Sequence, residues 1–298
     1  RFFLKYQDRI LFGTDTTPRR DAFRIYYRFL ETDDEYFDCA ASHHLQGFWM
    51  IYGVYLPPEV LEKVYFRNAE RILFGIRRSV VELPTYSVAR VTDFEVTGRG
   101  DHPAWQSAAW GVLRSRSPDV SDYEARFKVL YSDRGLYVLM DGTDRRLSAK
   151  LDKDFENLWT EDVFEFFIWP DERDPLYFEY EISPLGYELP IIIPNMDGRF
   201  LGWRPWHYEG DRRIQKATSV RGGDKTSGAA IAGWTAEFFI PYELLKPLRN
   251  VPPRAGATWR ANFYRMDYDG PQAASWDWAR VGSSFHEFTR FGTLQFQP

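Results

Sequence analysis

The chain holds a single cysteine, Cys39, in 298 residues. That excludes an intrachain disulfide framework but leaves the compartment open. Apolar stretches stop well short of the ~20 residues that a membrane-spanning helix needs. Positive charge is in deficit: 38 Lys and Arg stand against 43 Asp and Glu, a net charge of −5. No general basic field therefore points to nucleic acid or anionic lipid. Glycine-rich phosphate loops, nucleophile elbows and Cys/His metal clusters are missing, as are internal repeats and low-complexity tracts. The sequence opens at Arg1 without a methionine, so the lack of a visible leader says nothing about export, and extracellular or periplasmic placement stays open.

What is abundant is aromatic side chains, with 11 Trp and 18 Tyr. Most such rings fill cores, but rigid ring faces are also what sugar-binding surfaces use. The run "LWTEDVFEFFIWP", residues 158–170, combines both possibilities. With a strand's period of two, Val163, Glu165, Phe167 and Trp169 share one face, and Phe164, Phe166 and Ile168 share the other. Both faces are largely apolar, as in a sandwich strand covered on each side, yet a carboxylate lies mid-strand. Such an acid is paired, at a rim, or waiting for a ligand.

The first 75 residues have a different character. "DRILFGTDTTP" reads as a short buried strand, Ile10 to Phe12, followed by a turn. "PRRDAFRIYYRFLET" and "LPPEVLEKVYFRNAERIL" read as helices, with Pro58 opening the second. One strand with two or three helices cannot complete a core around that strand. "ILFGTD", the Leu-Pro-Pro-Glu run and the closing "NAERIL" resemble the C-terminal end of an amidohydrolase-related metal-dependent hydrolase, a TIM-barrel family. That resemblance implies that Asp15 is a metal ligand or catalytic proton acceptor within a complete barrel, where a divalent metal such as Zn²⁺ would bind. The family's His-x-His pair belongs to an upstream barrel segment missing here. His43 and His44 are adjacent and wrongly spaced to replace it, so this piece is not expected to be catalytic alone.

Residues 76–90, "IRRSVVELPTYSVAR", read as a linker running into a first strand. From there the pattern is strands throughout. "ARFKVLYSD" and "GLYVLMDGTD" form a hairpin around Asp133-Arg134-Gly135. "DVFEFFIWP", "LYFEYEIS", "IQKATSV", "GWTAEFFIP", "TWRANFYRMDY" and "FGTLQF" follow, interrupted by one short helix after Pro241. The fold class expected for residues 91–298 is mainly β, an antiparallel β-sandwich or jelly roll, preceded by a mostly helical remnant of an α/β barrel.

In order, "HPAWQSAAW", "LYVLMDGTD", "WTEDVFEFFI", "GWTAEFFIPYELL", "WRANFYRMD", "SW" and "SFHEFTRFGTLQF" resemble carbohydrate-binding module family 9, over about residues 86–298. The resemblance implies a glycan end held between two tryptophans with polar side chains on its hydroxyls, and a structural Ca²⁺ in the sandwich. It matches Trp159 to the first ring and Glu165 to the acid. On one straight strand these would be ~20 Å apart, so Trp159 must lie on a loop folded back over the strand end. Trp276 or Trp278, among small and polar neighbours that suggest an exposed loop, supplies the second ring. Asn262 and Arg265 supply polar contacts, while Arg265 also has Asp267 or Glu237 as prospective ion-pair partners. His286 reads as structural. Where the family places a sugar-gripping arginine, this chain has Glu181. Glu165 with Glu181 or Glu161 could also form a glycosidase's acid pair, but strand acids are more often rim charges.

The reading that results is a carbohydrate-binding module that targets an attached hydrolase to a glycan or glycoside, with an oligosaccharide or polysaccharide end as partner and neither nucleic acid nor membrane. The alternative is a metal-dependent hydrolase whose sandwich is a structural appendage.

Overall fold

A computed structural model describes residues 2–14, 20–38, 50–73, 83–116, 122–196 and 199–298. The chain divides into two compact units, Arg1–Glu82 and Leu83–Pro298. No helix among the described residues is long and apolar enough to cross a membrane.

The N-terminal unit contains α1 (Phe2–Tyr6), α2 (Arg20–Glu31) and the two-residue strands β1 (Phe37–Asp38) and β2 (Met50–Ile51), which pair with each other. Helix α3 (Pro58–Glu62) continues through a π-helical turn, Lys63–Arg67, into α4 (Asn68–Leu73). Proline suits this start because its missing amide is one that a first helical turn leaves unpaired anyway. Leu30, Leu56, Val60 and Val64 form the buried core. The strand expected at Ile10–Phe12 is not formed. Its backbone finds a helix carbonyl instead: the Phe12 amide donates to the Val64 oxygen at 2.8 Å. A strand needs an edge to pair with, and β1 and β2, the paired strands described here, use each other. No parallel barrel sheet exists among the described residues of this unit. Asp15, His43, His44 and Cys39 lie outside the described residues.

The second unit is the β-sandwich. Its strands are β3 (Thr85–Arg90), β4 (Gly111–Ser115), β5 (Ala125–Tyr131), β6 (Gly135–Thr143), β7 (Val163–Trp169), β8 (Leu176–Ile182) and β9 (Glu188–Met196). After β10 (Arg199–Phe200) and β11 (Arg204–Pro205) come β12 (Gln215–Arg221), β13 (Gly233–Pro241), β14 (Thr258–Asp267), β15 (Ala274–Asp277) and β16 (Gly292–Phe296). The short α5 (Tyr242–Leu245) follows β13. One layer runs β9-β8-β7-β14 and the other β12-β13-β6-β5. Strands β15 and β4, and β16 and β3, carry the pairing from β14 across to β5. The two ladders of β3, with β16 and with β5, are parallel; the other ladders are antiparallel.

Side-chain alternation fills the space between layers. Phe127 of β5 stacks on Phe263 of β14 with centroids 3.6 Å apart, and Phe164 of β7 stacks on Trp234 of β13 at 3.9 Å. Each such buried aromatic contributes ~1.5–3 kcal/mol by removing apolar area from water. The other face of β7 is covered too: Val163, Phe167 and Trp169 pack with Tyr177, Ile191 and Phe288. The central strand is therefore buried on both sides, as its double apolar pattern implied.

One boundary and one strand differ from expectation. The last six residues assigned to the linker, Thr85–Arg90, are strand β3 of the sandwich. Strand β9 was not anticipated because Pro190 and Pro194 interrupt it. It lies near the sheet edge, flanked by the two-residue strands β10 and β11. The proline carbonyls are used there, accepting the Trp206 and Leu201 amides at 2.7 and 3.0 Å. A strand in that position tolerates proline because fewer of its amides need ladder partners.

Candidate functional site

The outer face of the β9-β8-β7-β14 layer carries a cavity of ≈ 1070 Å³. Its floor follows from register. Glu165 on β7 lies opposite Glu181 on β8 and opposite Tyr264 on β14, and Phe167 lies opposite Glu179. Residues paired across an antiparallel ladder point to one side, so the odd-numbered acids of "VFEFF" and "YFEYEI" converge. All three glutamates are nearly sealed from solvent, at 3% exposure for Glu165 and Glu179 and 1% for Glu181.

The walls come from loops. A single 3₁₀ turn, Leu158–Thr160, precedes β7 and brings Trp159 over the strand end. The Tyr268 hydroxyl donates to the Trp159 carbonyl and holds that turn. Trp203, between β10 and β11, meets Trp159 edge to face, with centroids 5.8 Å apart and planes at 74°. Phe200 and His286 stack at 4.2 Å on another side, and Phe285 rests on Tyr264 at 4.0 Å. All of these rings except Tyr264 line the cavity.

Electrostatically the floor is an acid cluster without a counter-charge of its own. Burial, then the neighbouring Glu181, raises the Glu165 carboxyl well above the usual range. Burial and Glu165 do the same to Glu179, and burial and Glu179 to Glu181. Like carboxyls in a desolvated site cannot all ionise, so protons are retained. Glu179 and Glu181 each keep one oxygen, Oε2, buried without a hydrogen-bond partner. His286 is 3.8 Å from Glu179, and its Nδ1 lies 2.7 Å from the Tyr177 hydroxyl. Burial pulls its pKa down to about 4, so it is neutral at pH 7.

Of the residues singled out in the sequence, Trp159 and Glu165 line this cavity together. The others do not. Trp276 is not on an exposed loop: it belongs to β15, is 1% exposed, and stacks on the Arg265 guanidinium at 4.9 Å. Trp278 packs in the inner core against Phe127 and Phe263. Arg265 pairs with Phe164 in register and so faces the interior. Asn262 has the outer parity but is sealed, its Nδ2 donating to the Ala279 carbonyl and the Tyr264 hydroxyl. The small, polar neighbours of Trp276 misled because a buried arginine, not solvent, lies against that ring. The missed ring is Trp203, in "FLGWRPW". Its only sequence signal is a tryptophan between Gly202 and the Arg204-Pro205 pair, a composition that suits an exposed turn. The glutamate pair Glu179 and Glu181 was legible in the alternation of β8.

Among the described residues, one group of carboxyls brings an oxygen from each member within 4.8 Å of the others: Asp144, Asp267 and Asp269. Such oxygen donors suit calcium. Here, however, Arg265 donates to Asp144 at 3.0 Å and to Asp267 at 2.6 Å, and to the Thr143 carbonyl. The guanidinium already neutralises two of the three carboxyls, while Asp269 Oδ1 stays buried without a partner.

Residues 110–296 match the sequence profile of carbohydrate-binding family 9, more than half of the chain. A protein of Arthroderma benhamiae described as an extracellular protein is 26% identical over 156 residues, which are 50% of this chain and 66% of that protein. The match thus spans slightly less than two thirds of that relative's length. Among solved structures, a candidate carbohydrate-binding protein from Bacteroides uniformis superposes with a TM-score of 0.60 at 18% identity, over 72% of this chain and all of the other. A family 9 carbohydrate-binding module from Caldicellulosiruptor kristjanssonii, solved with cellotriose, gives 0.51 at 14% identity over 72% of this chain and 94% of that one. The glucose complex of a module from the same organism also gives 0.51, at 13% identity over 72% and 96%. These likenesses show a shared fold, and the profile match shows the family: through residues 110–296 the chain belongs to carbohydrate-binding family 9.

Proposed function

We propose that the sandwich holds the end of a glycan in the cavity between Trp159 and Trp203, over the floor made by Glu165, Glu179 and Glu181. The observation that carries this reading is the turn at Leu158–Thr160, which brings an indole and a buried carboxyl row into one cavity. A pyranose offers an apolar C–H face to a ring and equatorial hydroxyls to polar groups. Glu179 and Glu181 each present an oxygen that has no protein partner, and a hydroxyl donor would satisfy it. A cavity of ≈ 1070 Å³ has room for one or two sugar units. The cellotriose and glucose complexes of the Caldicellulosiruptor modules make gluco-configured ends the first ligands to try.

Calorimetric titration with glucose, cellobiose and cellotriose tests the reading. Trp159→Ala and Trp203→Ala should each cost on the order of 1–3 kcal/mol, roughly a ten- to hundredfold loss of affinity. Both rings are only half-buried, so the thermal midpoint should move little. Full affinity in both variants, or no binding by the parent protein to any glycan on an array, would remove the site.

The finer assignment concerns residues 1–75. Their resemblance to the end of an amidohydrolase-related barrel supports a module that concentrates an attached hydrolase on a glycan. In that case Asp15 would act with a divalent metal only in a complete barrel. An upstream coding sequence with a His-x-His after its first strand would support this, and its absence would leave a binding protein alone.

A further inference from the structure

We infer that the cavity is built for a glycan end that carries a positive charge, an amino sugar with a free ammonium group seated on Glu179 and Glu181, beside Glu165. The inference rests on the glycan-binding reading above and specifies its ligand class.

The argument is one of charge balance. Three carboxyls face one desolvated floor, and like charges directly opposite one another in a ladder are destabilising. Among the described residues, no Lys or Arg makes an ion pair with these three glutamates. Arg116 pairs with Asp277 at 3.0 Å and also donates to the Gly282 carbonyl. Arg204 lies at the exposed lip and donates to the Trp203 carbonyl at 3.3 Å. His286 faces Glu179 but is neutral at pH 7, and Tyr177, Tyr264 and Tyr268 keep their protons because burial raises each of them. Glu161 is turned away, accepting the Leu151 amide at 2.9 Å.

Glu179 Oε2 and Glu181 Oε2 therefore stay buried and unpartnered, a costly arrangement unless a donor arrives. A neutral hydroxyl would satisfy a lone pair and leave the carboxyls protonated. An ammonium brings three donors and the missing charge, so one carboxyl can release its proton and form a charge-assisted hydrogen bond. A bare metal ion suits the floor less well. Among the described residues, these glutamates do not bring one oxygen each within 4.8 Å of the others, as the aspartates of the inner cage do. Trp159 and Trp203 supply the flat apolar faces that a pyranose ring needs, which favours a sugar over a simple amine.

The test is titration of the full chain at pH 7 with glucosamine, glucose and N-acetylglucosamine, which share a ring but differ in charge. The inference expects glucosamine to bind at least roughly tenfold more tightly than both neutral sugars, the gain typical of a charge-assisted contact in a dry site. In the Glu179→Gln, Glu181→Gln double variant the ratio of glucosamine to glucose affinity should fall to about one. Equal affinity for all three sugars overturns the inference and leaves the glycan reading standing. Failure of all three to bind overturns the inference, while the glycan reading falls only if cellobiose, cellotriose and the glycan array fail as well. A glucosamine preference that survives in the double variant refutes the assignment to these carboxyls. Because the parent protein alone can give the first two outcomes, the inference stays falsifiable even if the variant folds poorly.

Discussion

A carboxyl held neutral inside a protein ties stability to pH, and Glu179 is the clearest case here. Its folded pKa lies well above the ordinary 4.5, through burial first and the Glu165 charge second. The folded state therefore holds a proton that the unfolded chain releases. The stability this provides is complete below about pH 4.5 and declines as pH rises toward the folded value. Glu165 and Glu181 shift the same way, as does Asp162, pushed up to about 8 chiefly by burial. Asp171, lowered to about 2 by its arginine neighbour, acts in the opposite sense but in a more acidic window. The thermal midpoint should thus fall between pH 5 and pH 8, in thermal scans without ligand. Glu179→Gln keeps the shape and removes one titrating group, so it should raise the midpoint at pH 8 more than at pH 5. An equal change at both values would show that Glu179 is ionised and paired in the folded protein. At this scale the sequence was partly legible. Six positions separate Trp159 from Glu165, which demanded a folded-back turn. Nothing local revealed that Trp276 would rest on a buried guanidinium, because that contact joins two strands across a ladder.

Among the elements, the junction of β14, β15 and β6 is held by a polar cluster around one arginine. Arg265 projects inward from β14 against the stacked rings of Tyr123 and Trp276, at 5.3 and 4.9 Å. It reaches Asp144 just beyond β6 and Asp267 at the end of its own strand. Removing one partner of a fully buried ion pair leaves the other charge uncompensated, which costs about 3–5 kcal/mol. Arg265→Ala should therefore be strongly destabilising, whereas calcium or a chelator should leave the parent protein's midpoint unchanged. In the variant, Asp144 and Asp267 lose their cation and, with Asp269, leave a cage of carboxyl oxygens. Added calcium should then recover part of the lost midpoint. A calcium-dependent midpoint in the parent protein would contradict this reading of the cluster. Strand β9 makes the complementary point about legibility. Its prolines are poor strand signals, and only the position near the sheet edge makes them acceptable. Strands β5 to β8 were readable because alternation and turn residues agreed with the tertiary environment. For β9 and β15 that environment overrode local pattern.

For the whole molecule, the decisive contrast is between two units of unequal self-sufficiency. The sandwich encloses a core that spans both layers, from Tyr86 to Phe296, with most of its aromatics fully buried. In the N-terminal unit the described core comprises four buried side chains, Leu30, Leu56, Val60 and Val64. Several large apolar groups stay in solvent there, among them Phe2 at 65%, Tyr55 at 69% and Leu73 at 63% exposure. The composition change near residue 75 was visible in the sequence because helical spacing gives way to alternation. The fate of Ile10–Phe12 was not, since strand formation depends on a partner strand that the pattern of one segment cannot reveal. Local opening free energy should follow this division: few buried contacts and backbone bonds made singly, such as Phe12 to Val64, open at low cost. The ladder of β7, flanked by β8 and β14, opens only with the sandwich as a whole. Hydrogen exchange on the intact chain should therefore show the Phe12 amide exchanging at least ~100-fold faster than the amides of Phe164 and Phe166, given that core elements approach global stability. Equal protection in the two places would mean that the N-terminal unit is covered and cooperative with the sandwich, and the reading of residues 1–75 as a piece of a larger domain would have to be abandoned.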